Sequence, residues 1–150
     1  MNPNKALWEK GDFTRIAAAM RVSGEALVKS LGLEHGIRVL DLGCGDGTTA
    51  IPAAQAGANV VGMDIARNLV AAGNDRAKAL QLSNICFEEG DASDLVNLED
   101  REFDVVISIF GAMFAPRPGD VAPAIPPLWR RYSGSALATH RRHRKASSVR

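Results

Sequence analysis

The segment "IRVLDLGCGDGTT", residues 37–49, constrains the fold more than any other part of the chain. A short apolar run rich in branched residues reads as a strand buried on both faces. It breaks into Gly43, Gly45 and Gly47, at every second position, and then into a helical pattern. Glycines at a strand-to-helix turn let the backbone turn tightly and come close to a ligand. Similar apolar runs follow: "NVVGMD", "ICFEEGD" and "FDVVISIF". The first two are separated by the helical pattern "ARNLVAAGNDRAKALQL", with Leu69, Ala72, Ala79 and Leu80 expected on one face. Strand, helix, strand, helix, strand and a further strand predict an α/β domain on a parallel sheet.

Ahead of the first strand, "GDFTRIAAAMRVSGEALVKSLGL" reads as two short helices, capped by Asp12 and Ser23 and ended by Gly32. After the first strand, "DGTTAIPAAQAG" reads as a helix closed by Gly57, with Pro52 in its first turn, where a missing N–H is harmless.

The loop is not a dinucleotide fingerprint, because position 48 is Thr where G-x-G-x-x-G needs a third glycine. It is not a phosphate loop, because no lysine follows Gly47. Asp41 also disfavours a phosphate: like unit charges ~4 Å apart near a surface repel by roughly 4 kcal/mol. A ligand with an ammonium group suits that carboxylate. Asp64 ends the second strand, 23 residues beyond Asp41, where an acid can accept both hydroxyls of a ribose. Asp91 ends the third strand and can accept from an exocyclic amine, while the Ala92 N–H donates to a ring nitrogen. All three follow the C-terminal ends of strands, where open α/β sheets bind ligands. An amino group, a ribose diol and an adenine without phosphate describe S-adenosylmethionine.

"VLDLGCGDGTTAIPAAQAGANVVGMDIA", "FEEGDASDL" and "FDVVISIFGAMFAP" resemble class I S-adenosylmethionine-dependent methyltransferases, most of all the small-molecule branch with the ubiquinone and menaquinone C-methyltransferases. The resemblance covers about residues 10–118. It implies a Rossmann-like fold and S-adenosyl-L-methionine as cofactor. Gly43, Gly45 and Gly47 would pass beneath its methionine part, and Cys44 between them counts as a cofactor-binding position; by residue type it reads as a small residue filling the tight loop and not as a nucleophile. Asp41 would help hold the ammonium group, partly through loop carbonyls and water. Asp64 would bind the ribose, Ile65 would pack on the adenine, and Asp91 and Ala92 would read its edge. "SIFGAM", beginning at the cofactor-binding Ser108, would line the methionine side of the cofactor and the route to the acceptor, and "GDFTRIA", with Phe13, is similar to a helix that covers the cofactor in this branch. The implied reaction is methyl transfer to a small-molecule acceptor, with no catalytic base identified.

Beyond residue 118 the character changes. Residues 119–150 hold seven basic residues against Asp120, a net +6, while residues 1–118 carry −5, so the overall +1 conceals an acidic body and a basic tail. The tail shows neither helical nor strand periodicity and is expected to be disordered. The fold is therefore expected to be truncated after strand four, with that strand on an open edge and methyl transfer impaired. A frame shift between Phe114 and Ala124 would explain the change. The alternatives are a cofactor-binding remnant without catalysis, a nicotinamide oxidoreductase, and nucleic-acid association through the tail, which "WRRY" is too short to support as a stacking platform. His140 and His143 are flanked by arginines that repel cations, so no metal site is expected. Cys44 and Cys86 give no disulfide framework, no secretory leader is evident, and no apolar stretch reaches ~20 residues; these features predict a cytoplasmic protein without a membrane span.

Overall fold

The computed structural model describes residues 4–95, 98, 103–109, 111–115, 118–124 and 137–140. In chain order the elements are α1 (Lys5–Trp8), α2 (Thr14–Leu31), β1 (Arg38–Leu42), α3 (Ala50–Gln55), β2 (Asn59–Asp64), α4 (Arg67–Ala79), β3 (Ile85–Glu89), β4 (Val105–Ser108), a 3₁₀ turn (Ala112–Phe114), α5 (Pro118–Ala124) and β5 (Leu137–His140). The sheet order is β3-β2-β1-β4-β5. The first four strands are parallel, as the apolar runs predict.

Both faces of β1, β4 and most of β2 are covered, which explains their nearly unbroken apolar sequence, whereas the edge strand β3 buries only Phe87. Val39, Val60, Val105 and Ile107 pack with Ala53, Val70, Ala77 and Phe87 in one cluster. Leu40, Leu42 and Val106 turn to the other face, against Met63, Leu95, Leu98, Phe103 and Val121. The side-chain alternation of a strand thus feeds two cores from one sheet.

The structure revises several local expectations. The two helices expected before β1 are one continuous helix, α2, with Ser23 inside it. Gly24 does not break it; a Cβ there would lie 2.2 Å from the Thr48 carbonyl oxygen, so glycine lets helix and loop touch. Asp12 makes no capping bond to the helix backbone, and accepts instead from the Thr14 hydroxyl. Gly32 ends the helix in a left-handed conformation, as expected. Pro52 falls in the first turn of α3. The buried face of α4 is Leu69, Val70, Gly73 and Ala77; Ala79 and Leu80 are exposed. Phe87 packs where a Gly73 Cβ would stand, which selects that row as the inward one.

The edge of β4 is not open. Leu137–His140 pairs with it antiparallel, Val105 opposite His140 and Ser108 opposite Leu137. The segment expected to lack periodicity thus contains a helix, α5, and a four-residue strand. The rest of the basic tail, His143 included, lies outside the described residues, as does Phe110 of "SIFGAM". Among the described residues no helix is long and apolar enough to cross a membrane.

Candidate functional site

β1 lies between β2 and β4, so the chain winds away from it in both directions, and the C-terminal ends of β1 and β4 open a crevice. The glycine loop floors it. Gly43, Gly45 and Gly47 have φ of 67°, 57° and 92°, values that favour glycine. The Gly43 and Cys44 N–H groups both donate to the Met63 carbonyl, at 2.8 and 3.1 Å, which fastens the loop to the end of β2.

A cavity of ≈ 350 Å³ stands over this floor. Of the residues singled out from sequence, Phe13, Gly43, Gly45, Asp64, Ile65, Asp91 and Ala92 line it. A Cβ on Gly45 would meet nothing within 4 Å, so the missing side chain leaves open space. Asp64 Oδ2 accepts the Gly45 N–H at 2.8 Å and Oδ1 accepts the Ala66 N–H at 2.9 Å. A carboxylate has about four lone-pair sites, so acceptor capacity remains. Burial raises the Asp64 pKa, opposed by N–H groups of Ala66, Gly45 and Ile65 and by the Lys5 charge. Asp91 Oδ1 accepts from the Ser93 N–H and hydroxyl, which fixes the turn after β3.

Asp41, Cys44, Gly47 and Ser108 are not on the cavity wall. Asp41 lies beneath the loop, 2% exposed, and its Oδ2 has no hydrogen-bond partner among the described residues. Burial, then the nearby Asp64 charge, pushes its pKa from 3.8 to about 8, partly offset by the Ala50 N–H. Cys44 is buried and its thiol is pushed well up by burial and by the Asp41 and Asp64 charges, so it packs as an uncharged residue. Gly47 packs against Phe87 and Ile51. The Ser108 hydroxyl donates to the Leu42 carbonyl at 2.8 Å and accepts the Ala112 N–H at 3.0 Å, stitching β4 to the end of β1.

One feature was missed in the sequence: Asp46, 1% exposed, forms ion pairs of 3.1 Å with both Arg21 and Arg76, clamping the loop between α2 and α4. The cavity's apolar wall was expected only in part, as the segment "GDFTRIA" with Phe13. Phe13, Ile16, Ala17 and Met20 line it at the i, i+3, i+4, i+7 spacing of one helical face, so the wall extends one turn beyond that segment. Trp8 joins them, with ring centroids 4.8 Å from Phe13 and 5.2 Å from Phe114. Among the described residues lining the cavity, only Asp64 and Asp91 titrate.

Comparison with known proteins agrees with this geometry. A family profile described as a methyltransferase domain matches residues 39–130. An uncharacterized protein of Mycobacterium tuberculosis (strain H37Rv) is 35% identical over 160 residues, covering 97% of this chain and 58% of its own length. The similarity therefore reaches into residues 119–150, while this chain spans under two thirds of that relative. The magnesium-protoporphyrin O-methyltransferase of Rhodobacter capsulatus is 30% identical over 104 residues, 69% of this chain and 45% of its own. The crystal structure of magnesium protoporphyrin IX methyltransferase from Synechocystis PCC 6803 with bound S-adenosylmethionine superposes with a TM-score of 0.56 at 29% identity, covering 71% of this chain and 51% of that one.

Proposed function

Since this chain belongs to the S-adenosylmethionine-dependent methyltransferases, we propose that the ≈ 350 Å³ cavity holds that cofactor and that its methyl group passes to a small-molecule acceptor. One observation carries the reading: a side-chain-free floor at Gly43 and Gly45 meets the strand-end acids Asp64 and Asp91 in a single cavity. The unpartnered Asp41 oxygen beneath that floor fits a cationic ligand above it.

In this reading Asp64 accepts the ribose hydroxyls while its bonds to Gly45 and Ala66 keep the loop in shape. Ile65 packs on the adenine, and Asp91 and Ala92 read its edge. Gly43 and Gly45 let the methionine part lie against the backbone. Asp41 acts on the ammonium group through the loop, since it does not reach the cavity wall. Cys44, Gly47 and Ser108 support the floor. The cofactor supplies an electrophilic sulfonium methyl and a good thioether leaving group. The chain's task is then to align the acceptor in line with that methyl and to exclude water, and alignment can contribute about 7–11 kcal/mol. Trp8, Phe13, Ile16, Met20 and Phe114 offer the acceptor an apolar wall without a titratable group, which suits an uncharged compound that carries its own nucleophile. The cofactor half lies within residues 1–118, and a cytoplasmic location suits this chemistry.

Titration calorimetry with S-adenosylmethionine and S-adenosylhomocysteine tests the reading. Binding of both by the intact chain, weakened at least about tenfold in Asp64→Ala by loss of charge-assisted hydrogen bonds, supports it. No heat with either ligand overturns it. A parallel methyl-transfer assay reads the impaired transfer expected where, among the described residues, the antiparallel β5 and not a further parallel strand flanks the outer edge of β4.

A further inference from the structure

α1 is a single turn, Lys5–Trp8, too short to be stable alone. It nevertheless forms an outer wall of the cavity. Asn4 and Trp8 line the cavity, while Leu7 faces solvent. What holds this turn in place is largely one side chain. Lys5 Nζ donates to the Ile65 carbonyl at 2.9 Å, and pairs with Glu89 at 2.5 Å and Glu9 at 2.8 Å. Glu89 also pairs with Arg67 at 3.1 Å, and Glu9 accepts the Arg67 N–H at 3.3 Å. Ile65 follows β2 and Glu89 ends β3, so Lys5 ties the wall to the two strand ends whose next residues line the cavity. Elsewhere the turn is held by Asn4, whose amide donates to the Phe114 carbonyl at 3.0 Å, and by the contacts of Trp8 with Phe13 and Phe114.

We infer that Lys5 is a positioning residue of the cofactor site: through Ile65 and Glu89 it latches α1 across the cavity and so sets how fast cofactor leaves. The inference rests on the cofactor reading above. A ligand filling the space between Trp8 and the glycine floor leaves more readily when this turn swings away, a motion that the latch opposes. Its charges sit at the surface, so the latch weakens with salt, whereas the Trp8 ring contacts do not.

The test is stopped-flow release of S-adenosylhomocysteine from the intact chain, followed by tryptophan fluorescence, in wild type, Lys5→Met, Lys5→Arg and Glu89→Gln. The off-rate should rise about two- to fivefold in Lys5→Met, the range for exposed ion pairs. Lys5→Arg, which keeps the charge, should restore most of the loss. The Lys5→Met and Glu89→Gln effects should not add, because both break the same pair. Going from about 0.05 M to about 0.5 M NaCl should speed release from wild type more than from Lys5→Met. Unchanged release in Lys5→Met, with wild type binding normally, overturns the latch but leaves the cofactor reading intact. So does faster release that tracks a loss of thermal stability and that Lys5→Arg fails to rescue. Failure of wild type to bind overturns both.

Discussion

Gly43 and Gly111 touch backbone to backbone across the floor of the cavity. A Cβ on either residue would stand 2.3 Å from the Cα of the other. The contact joins the end of β1 to the turn after β4, and both glycines line the cavity. Gly43 also needs its positive φ of 67°, but Gly111 has φ −64°, which any residue adopts. Gly111→Ala therefore isolates the contact. It should lower stability by about 1–3 kcal/mol, the cost of forcing atoms into a packed site, and should weaken cofactor binding. Urea unfolding and calorimetry on the same samples check this; an alanine that leaves both unchanged would show that the loop and the turn part easily.

Asp41 predicts a pH dependence. In the unfolded chain its carboxyl ionises near 3.8, and in the folded chain at about 8. Between these values the unfolded state has released a proton that the folded state keeps. Stability from this group is thus full below about pH 4 and is lost as pH rises toward 8, by up to about 1.4 kcal/mol per pH unit. Asp41→Asn should be more stable than wild type at pH 8 and equal to it near pH 4. Thermal melts across this range decide it.

The same carboxyl couples to the cofactor. An ammonium group held above the loop would favour the ionised form of Asp41. At pH 7, binding of S-adenosylmethionine should therefore release a proton, and the calorimetric enthalpy should vary with the ionisation enthalpy of the buffer. Asp41→Asn should abolish that variation.

Asp46 supports the loop without reaching the cavity. Asp46→Ala would leave Arg21 and Arg76 without the carboxylate between them. Both arginines keep contact with water, so the cost should fall below the roughly 3 kcal/mol of a fully buried pair, and the loss should appear in the denaturation midpoint. Replacing Arg21 alone should cost less, because Arg76 still pairs with Asp46.

The strands and the glycine loop were legible because burial on both faces and positive φ each leave a local mark in sequence. Asp64 and Asp91 were legible from their spacing at strand ends. Asp46 was not, since nothing in "GCGDG" tells that its carboxylate turns inward toward arginines 25 and 30 residues away. The Trp8–Phe114 contact joins residues that only the finished sheet brings together. Ser23 and Gly24 carry the marks of a helix boundary, yet Gly24 is small because Thr48 packs on it. The strand Leu137–His140 escaped because pairing along a free edge needs backbone groups and little apolar pattern.

The most direct measurement is a crystal structure of this chain with S-adenosylhomocysteine. The account predicts ribose hydroxyls on the Asp64 carboxylate, the adenine between Ile65 and the Asp91–Ala92 turn, and the amino-acid end over Gly43 and Gly45. A ligand bound away from Asp64, or a cavity that stays empty at saturating ligand, would contradict it.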